Sequence, residues 1–189
     1  MAAIDAVNAA DPRRIPEGDS DIAQELLYAK RMTAWLLRVV KEPSEPLGLA
    51  VRAQHIARWM LPREQYPEGR IGYKRWRSDA AVMHAERVSN IMRDVGYSET
   101  ETDRVKDLVL KKRLRTDPEA QALEDVACLV FLEHELDAFM QKHDDEKLIR
   151  IVQKTWLKMS PVGREHALRL TLSDRAREIV ERATQSPVP

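Results

Sequence analysis

Three groups of residues have types and spacings that could do chemistry. His55 lies in "RAQHIARWMLPREQYPEGRIGYKRWR" (52–77), among Arg52, Arg58, Arg63, Arg70 and Arg77 and close to Tyr66, Tyr73 and Trp76. Read on a helix, Arg52, His55 and Trp59 share a stripe, because positions three and four apart are neighbours. A histidine flanked by guanidiniums and a ring could be a ligand, an acid or base, or an anion contact. The plain alternative is a half-buried histidine with one hydrogen bond. His84 falls on one helical face with Ala81, Val88 and Ile91, so it points to the core or to a cleft. In "LEDVACLVFL", Glu124 and Asp125 open a run that is apolar all round a helix. Buried carboxylates are normally paired, protonated or metal-bound. Two adjacent acids cannot share a face, so one is expected to point inward and the other to bond backbone or an arginine.

The arginines present forked donors suited to phosphate or carboxylate. Tyr73, Trp76 or Tyr66 could stack on a base or another flat ring. Lys154, in "KTWLKMS", is a further candidate anion contact. No phosphate-cradling Walker loop, GxSxG elbow, HExxH helix or CxxC pair occurs. The single cysteine, Cys128, lies inside the apolar run, where a thiol is inert, and one cysteine allows no disulfide framework.

Helices must position these residues. The chain has 189 residues, 43% hydrophobic and 33% charged, which fits one soluble domain over 1–189. Lys plus Arg and Asp plus Glu are 31 each, which argues against general polyanion coating but not against a local basic site. No leader or membrane-spanning run is read, so a cytoplasmic protein with no membrane partner is expected. Six glycines and no sustained strand alternation predict an all-α bundle. Ile22, Leu26, Ala29, Met32, Leu36 and Val40 mark a long first helix. "PLGLAVRAQHIARWM" reads as a second, with Pro46 in its first turn. A third runs to Gly96, a fourth opens on a Ser98–Glu101 capping box, and a fifth on Asp117–Pro118. C-terminal helices cover 144–184, and the final "PVP" is expected to fray. Residues 61–77 are the exception. Pro62, Pro67, Gly69 and Gly72 predict a long loop, too aromatic for disorder, serving as a cover or a lid.

The order "LLYAKRM", "LAVRAQHIARW", "HAERVSNIMRDVGY" and "LEDVACL" resembles the HD-domain superfamily of metal-dependent phosphohydrolases, over about residues 20–135. The resemblance puts His55 at the dyad histidine, His84 at the accessory histidine and Asp125 at the final aspartate. It implies that His55, His84 and Asp125 hold a divalent metal (Mn, Fe, Ni or Zn) that activates water, with Glu124 as a further catalytic carboxylate. Tyr28 stands at the first histidine position, Ile56 at the dyad aspartate, and Lys111 and Lys112 where some members carry another histidine. A reduced metal centre is thus implied. "RAQHIARW", "PREQYPEGRIGYKRWR", "LEDVACLVFLE" and "KTWLKMS" are also similar to a narrower family, catalogued as a domain of unknown function and sometimes labelled glutamyl-tRNA-synthetase-like.

The expected protein is a small enzyme hydrolysing a phosphorylated or nucleotide-like small molecule. Its anion would be clamped by Arg52, Arg58, Arg63, Arg70, Arg77 and Lys154, under Tyr73 and Trp76. The alternative is a catalytically silent module binding a nucleotide or RNA through the same patch. A third reading has the arginines merely tying the loop to surface acids.

Overall fold

The computed structural model describes residues 1–185; the terminal "PVP" lies outside them. Helix α1 (Ala2–Ala9) leads into a hairpin of β1 (Arg14–Glu17) and β2 (Ser20–Ala23), then α2 (Gln24–Val39) and α3 (Glu45–Arg52). Two short 3₁₀ turns, Arg58–Met60 and Arg63–Gln65, precede α4 (Gly69–Asp94). Next come α5 (Glu99–Val109) and α6 (Pro118–Val130), which runs through a wider π turn (Phe131–Glu135) into α7 (Leu136–Met140). Helices α8 (Asp145–Lys158), α9 (Pro161–Ala167) and α10 (Asp174–Gln185) complete the fold. The fold is all-α apart from the hairpin. Among the described residues, no helix is long and apolar enough to cross a membrane.

One apolar core runs through the molecule, from Ile4 to Ala183, with Met32, Leu36, Ile56, Leu108, Leu123 and Leu129 at its centre. Helix α2 packs on α6, α4 on α5, and α8 on α10. Two helix starts form as the sequence predicts: Ser98 and Glu101 make a reciprocal box, and Asp117 accepts backbone amides at the start of α6. Asp144 and Ser160 do the same at the starts of α8 and α9. Gly96 stops α4 at φ +90°, which a glycine adopts without strain.

Three expectations need correction. Residues 20–23 are strand, not helix: Ile22 pairs with Ile15 across a turn at Gly18, so α2 begins at Gln24. The second helix stops at Arg52 rather than Met60, so Arg52, His55 and Trp59 share no helical stripe. The long loop is also shorter than 61–77. Helix begins at Gly69, placing Tyr73, Trp76 and Arg77 on the 26-residue α4. Gly72 does not break the helix. A Cβ there would collide with the carbonyl of Pro67, so glycine is what lets the preceding loop lie on the helix.

The start of α9 is packed without slack. Asp125 accepts from the Ser160 amide (2.8 Å) and hydroxyl (2.5 Å), and a Cβ at Gly163 would fall 2.7 Å from the Asp125 carboxyl carbon. Gly163→Ala should therefore destabilise the protein by roughly 1–3 kcal/mol, since overpacking forces a shift of the capping carboxylate. Urea denaturation measures this; an unchanged midpoint would show that Asp125 moves aside freely.

Candidate functional site

Beyond Arg52 the chain does not unwind but turns sharply. The Ile56 amide donates to Ala53 O and the Arg58 amide to His55 O, both at 3.0 Å. Ala57 between them adopts φ +56°, a left-handed conformation that costs a residue with a Cβ about 1 kcal/mol or more. The surroundings hold it there: Asn8 Oδ1 on α1 accepts the Ala57 amide at 3.4 Å, and the Ile56 side chain is fully buried. The turn directs the Ile56 carbonyl at His84, whose Nδ1 lies 2.7 Å away. It also folds Arg58 back, 2.6 Å from His55 Nε2 and over the ring of Trp76 at 4.6 Å.

Helix α4 supplies the facing wall. Trp76, Ala80 and His84 are four residues apart and so lie on one face. The Trp76 indole N–H donates to Leu61 O at 2.9 Å, pinning the loop, and Ala80 is small enough to leave room between the two rings. The end of α5 adds Lys111, again left-handed at φ +52°, and α6 adds Ala127. Between these walls is a cavity of about 290 Å³, lined by Gln54, His55, Arg58, Trp76, Arg77, His84 and Lys111. The two histidine rings are 5.9 Å apart, and Tyr28 stacks on the far face of His55 at 4.1 Å.

Hydrogen-bond logic fixes both tautomers. A carbonyl can only accept, so His84 Nδ1 carries the proton and Nε2 the lone pair. Arginine can only donate, so His55 Nε2 accepts and Nδ1 carries the proton, 3.9 Å from the Glu25 carboxyl. Burial, then the Arg58 charge, holds His55 well below the ordinary histidine range. Burial likewise pushes His84 down to about 4, and Arg58 adds to it. Glu25, on α2, moves the other way. Burial lifts it to about 7, against the opposing pull of Arg58 and of Arg13 at 2.8 Å. Arg13, itself exposed, also binds Asp11, so a polar chain runs from the surface to His55.

Five residues singled out from the sequence therefore meet at this cavity: His55, His84, Arg58, Trp76 and Arg77. The others lie elsewhere. Arg52 is consumed by Asp5 (2.6 and 2.8 Å) and Thr33, fastening α1 to α2 and α3. Arg63 donates to the carbonyls of Tyr66 and Pro67, and the Tyr66 hydroxyl donates to Asp79. Arg70 and Lys154 are exposed and line no part of this cavity. Tyr73 is on the outer side of α4 against Trp76, with Arg77 over its ring. Asp125, expected beside the histidines, caps α9 instead. Glu124 reaches the site only indirectly, through its ion pairs with Lys111 and Lys158. Gln54 and Glu25 carried no signal, being single polar residues in helical text. Lys111 was visible, but as a cation unwelcome to a metal rather than as a wall.

The donors do not fit a divalent ion. His55 Nε2 is taken by Arg58, Asp125 by Ser160, and the cavity that His84 lines also carries Arg58, Arg77 and Lys111, whose positive charge disfavours a cation. Among the described residues, no three His, Cys, Asp or Glu side chains gather to hold a metal.

A protein-family model described as "Domain of unknown function (DUF4202)" matches residues 1–180. No curated protein and no solved structure matches the chain.

The histidines and Glu25 oppose each other in pH. For His84, stability is full above its unfolded value near 6.5 and is lost as pH falls toward 4, by roughly 3 kcal/mol at the limit, and His55 acts in the same direction. For Glu25, stability is full below 4.5 and declines as pH rises toward 7, because the unfolded chain ionises first. Denaturation between pH 4 and 8 should show His84→Gln with a smaller acid-side decline, His55 supplying the rest, and Glu25→Gln losing the rise-side decline. A wild-type profile in either variant would assign the effect to another group.

Proposed function

The chain belongs to the family described as Domain of unknown function (DUF4202), and on that footing we propose that its pocket binds the phosphate of a small phosphorylated molecule. The observation that carries this is charge without a partner. Arg58 and Arg77 make no ion pair among the described residues, yet they line one cavity together with Lys111. The carboxylates around them are engaged or discharged by burial. Glu124 is shared between Lys111 and Lys158, burial holds a proton on Glu25 up to about 7, and burial also raises Glu135, which faces Arg58. Arginines converging on one cavity are the donors that a phosphate fits. At about 290 Å³ the space suits a small ligand.

Binding is better supported than hydrolysis. A base whose conjugate acid sits near 4 is a weak acceptor of a proton from water, and the lone pair of His55 is already held by Arg58. The hydrolase reading keeps one support, the convergence of Tyr28, His55 and His84, the positions at which the HD-domain likeness aligns. The synthetase-like label draws none from an all-α architecture. RNA as partner rests on the exposed Arg70, Lys74, Arg75 and Arg77 along α4.

Calorimetric titration of inorganic phosphate and of a nucleoside monophosphate at low salt tests the reading. Wild-type protein should bind both, more weakly as salt rises, and Arg58→Gln or Arg77→Gln should weaken binding about 10- to 100-fold. Tight binding of an oligoribonucleotide with none of free phosphate moves the function to RNA. Phosphate release from the bound ester, with or without Mn²⁺, would restore the hydrolase. No binding of any of these sinks the proposal.

A further inference from the structure

The pocket contains more than cations. His84 is 3% exposed and Gln54 7% exposed, and both line the cavity. His84 Nε2 and Gln54 Oε1 have no hydrogen-bond partner among the described residues. Both atoms are acceptors here: the Ile56 carbonyl fixes the lone pair of His84 on Nε2, and an amide oxygen has only lone pairs. Buried acceptors left unpaired are costly and rare, so such a pair in one cavity marks what its occupant must supply.

We infer that the ligand carries hydroxyl donors beside its phosphate, as a phosphorylated polyol or sugar does, with the hydroxyls donating to His84 Nε2 and Gln54 Oε1. This inference rests on the phosphate-binding reading. Arg58, Arg77 and Lys111 offer only donors, and His84 and Gln54 offer unused acceptors, so one set of groups asks for an anion and the other for O–H groups. A bare phosphate dianion satisfies the first set and meets the second lone pair to lone pair. A cation on His84 would satisfy its lone pair but face the Arg58 charge. A hydroxyl suits both, since it donates to the acceptor and keeps its own lone pairs for the cations.

Glycerol 3-phosphate and propyl phosphate have the same chain length and charge and differ in hydroxyls, so their titration against the full chain isolates the effect. Glycerol 3-phosphate should bind at least about tenfold tighter, because a site built to hydrogen-bond hydroxyls discriminates against the analogue lacking them. Gln54→Met should reduce the ratio to roughly one to threefold. His84→Phe should do the same, and if its loss of the Ile56 bond prevents folding, Gln54→Met and the wild-type comparison suffice. Equal affinities in the wild-type protein overturn the inference, because solvent then serves both acceptors. Failure of both esters and of inorganic phosphate to bind is a different result, which removes the phosphate site itself.

Discussion

The hydrogen bond from His84 Nδ1 to the Ile56 carbonyl joins the two walls of the pocket, and nearly everything else about the site depends on it. It exists because Ala57 accepts a left-handed conformation, which turns the preceding carbonyl out of the α3 direction and toward α4. The same bond decides which nitrogen of His84 is basic. With the ring proton committed to a carbonyl, the other nitrogen is left as a buried, unpartnered lone pair, in surroundings too apolar and too positive for it to be protonated near neutrality. Loss of that bond would free both the ring orientation and the tautomer.

Charge in the site follows from what each carboxylate is doing elsewhere. Asp5 holds Arg52, Asp11 and Glu25 hold Arg13, Asp125 holds Ser160, and Glu124 is divided between two lysines. The chain is neutral as a whole, but its acids are spent on holding helices together, and the remainder at the cavity is positive. Arg58 shows this most clearly. Its guanidinium is placed by a ring nitrogen and by the face of Trp76, neither of which cancels its charge. A guanidinium oriented by neutral groups keeps its field for an incoming anion.

Two helix starts were legible because their capping residues declare themselves: Ser98 and Asp117 hold the amides that their position in the sequence implies. The meeting of His55 with His84 followed from the HD-domain likeness, since the helical stripe read for His55 does not exist. The left-handed turns at Ala57 and Lys111 were not legible, since alanine and lysine announce helix and nothing in their neighbours contradicts it. Gly72 misled for the opposite reason: glycine reads as a breaker, whereas here it makes space for Pro67. Choosing between Glu124 and Asp125 needed the position of Ser160, 35 residues further along the chain. Such a separation leaves no local trace.

The span of the contacts bears on the order of assembly. The bonds that shape the pocket close short loops, 28 residues from His84 to Ile56, 15 from Trp76 to Leu61 and 13 from Lys111 to Glu124. The tie from Trp35 to Glu133 closes 98. By chain entropy the longer closure costs about 1 kcal/mol more than the longest of the short ones. A nascent chain therefore holds every wall of the cavity once α6 has emerged, while the helices that seal the far end of the bundle are still to be made.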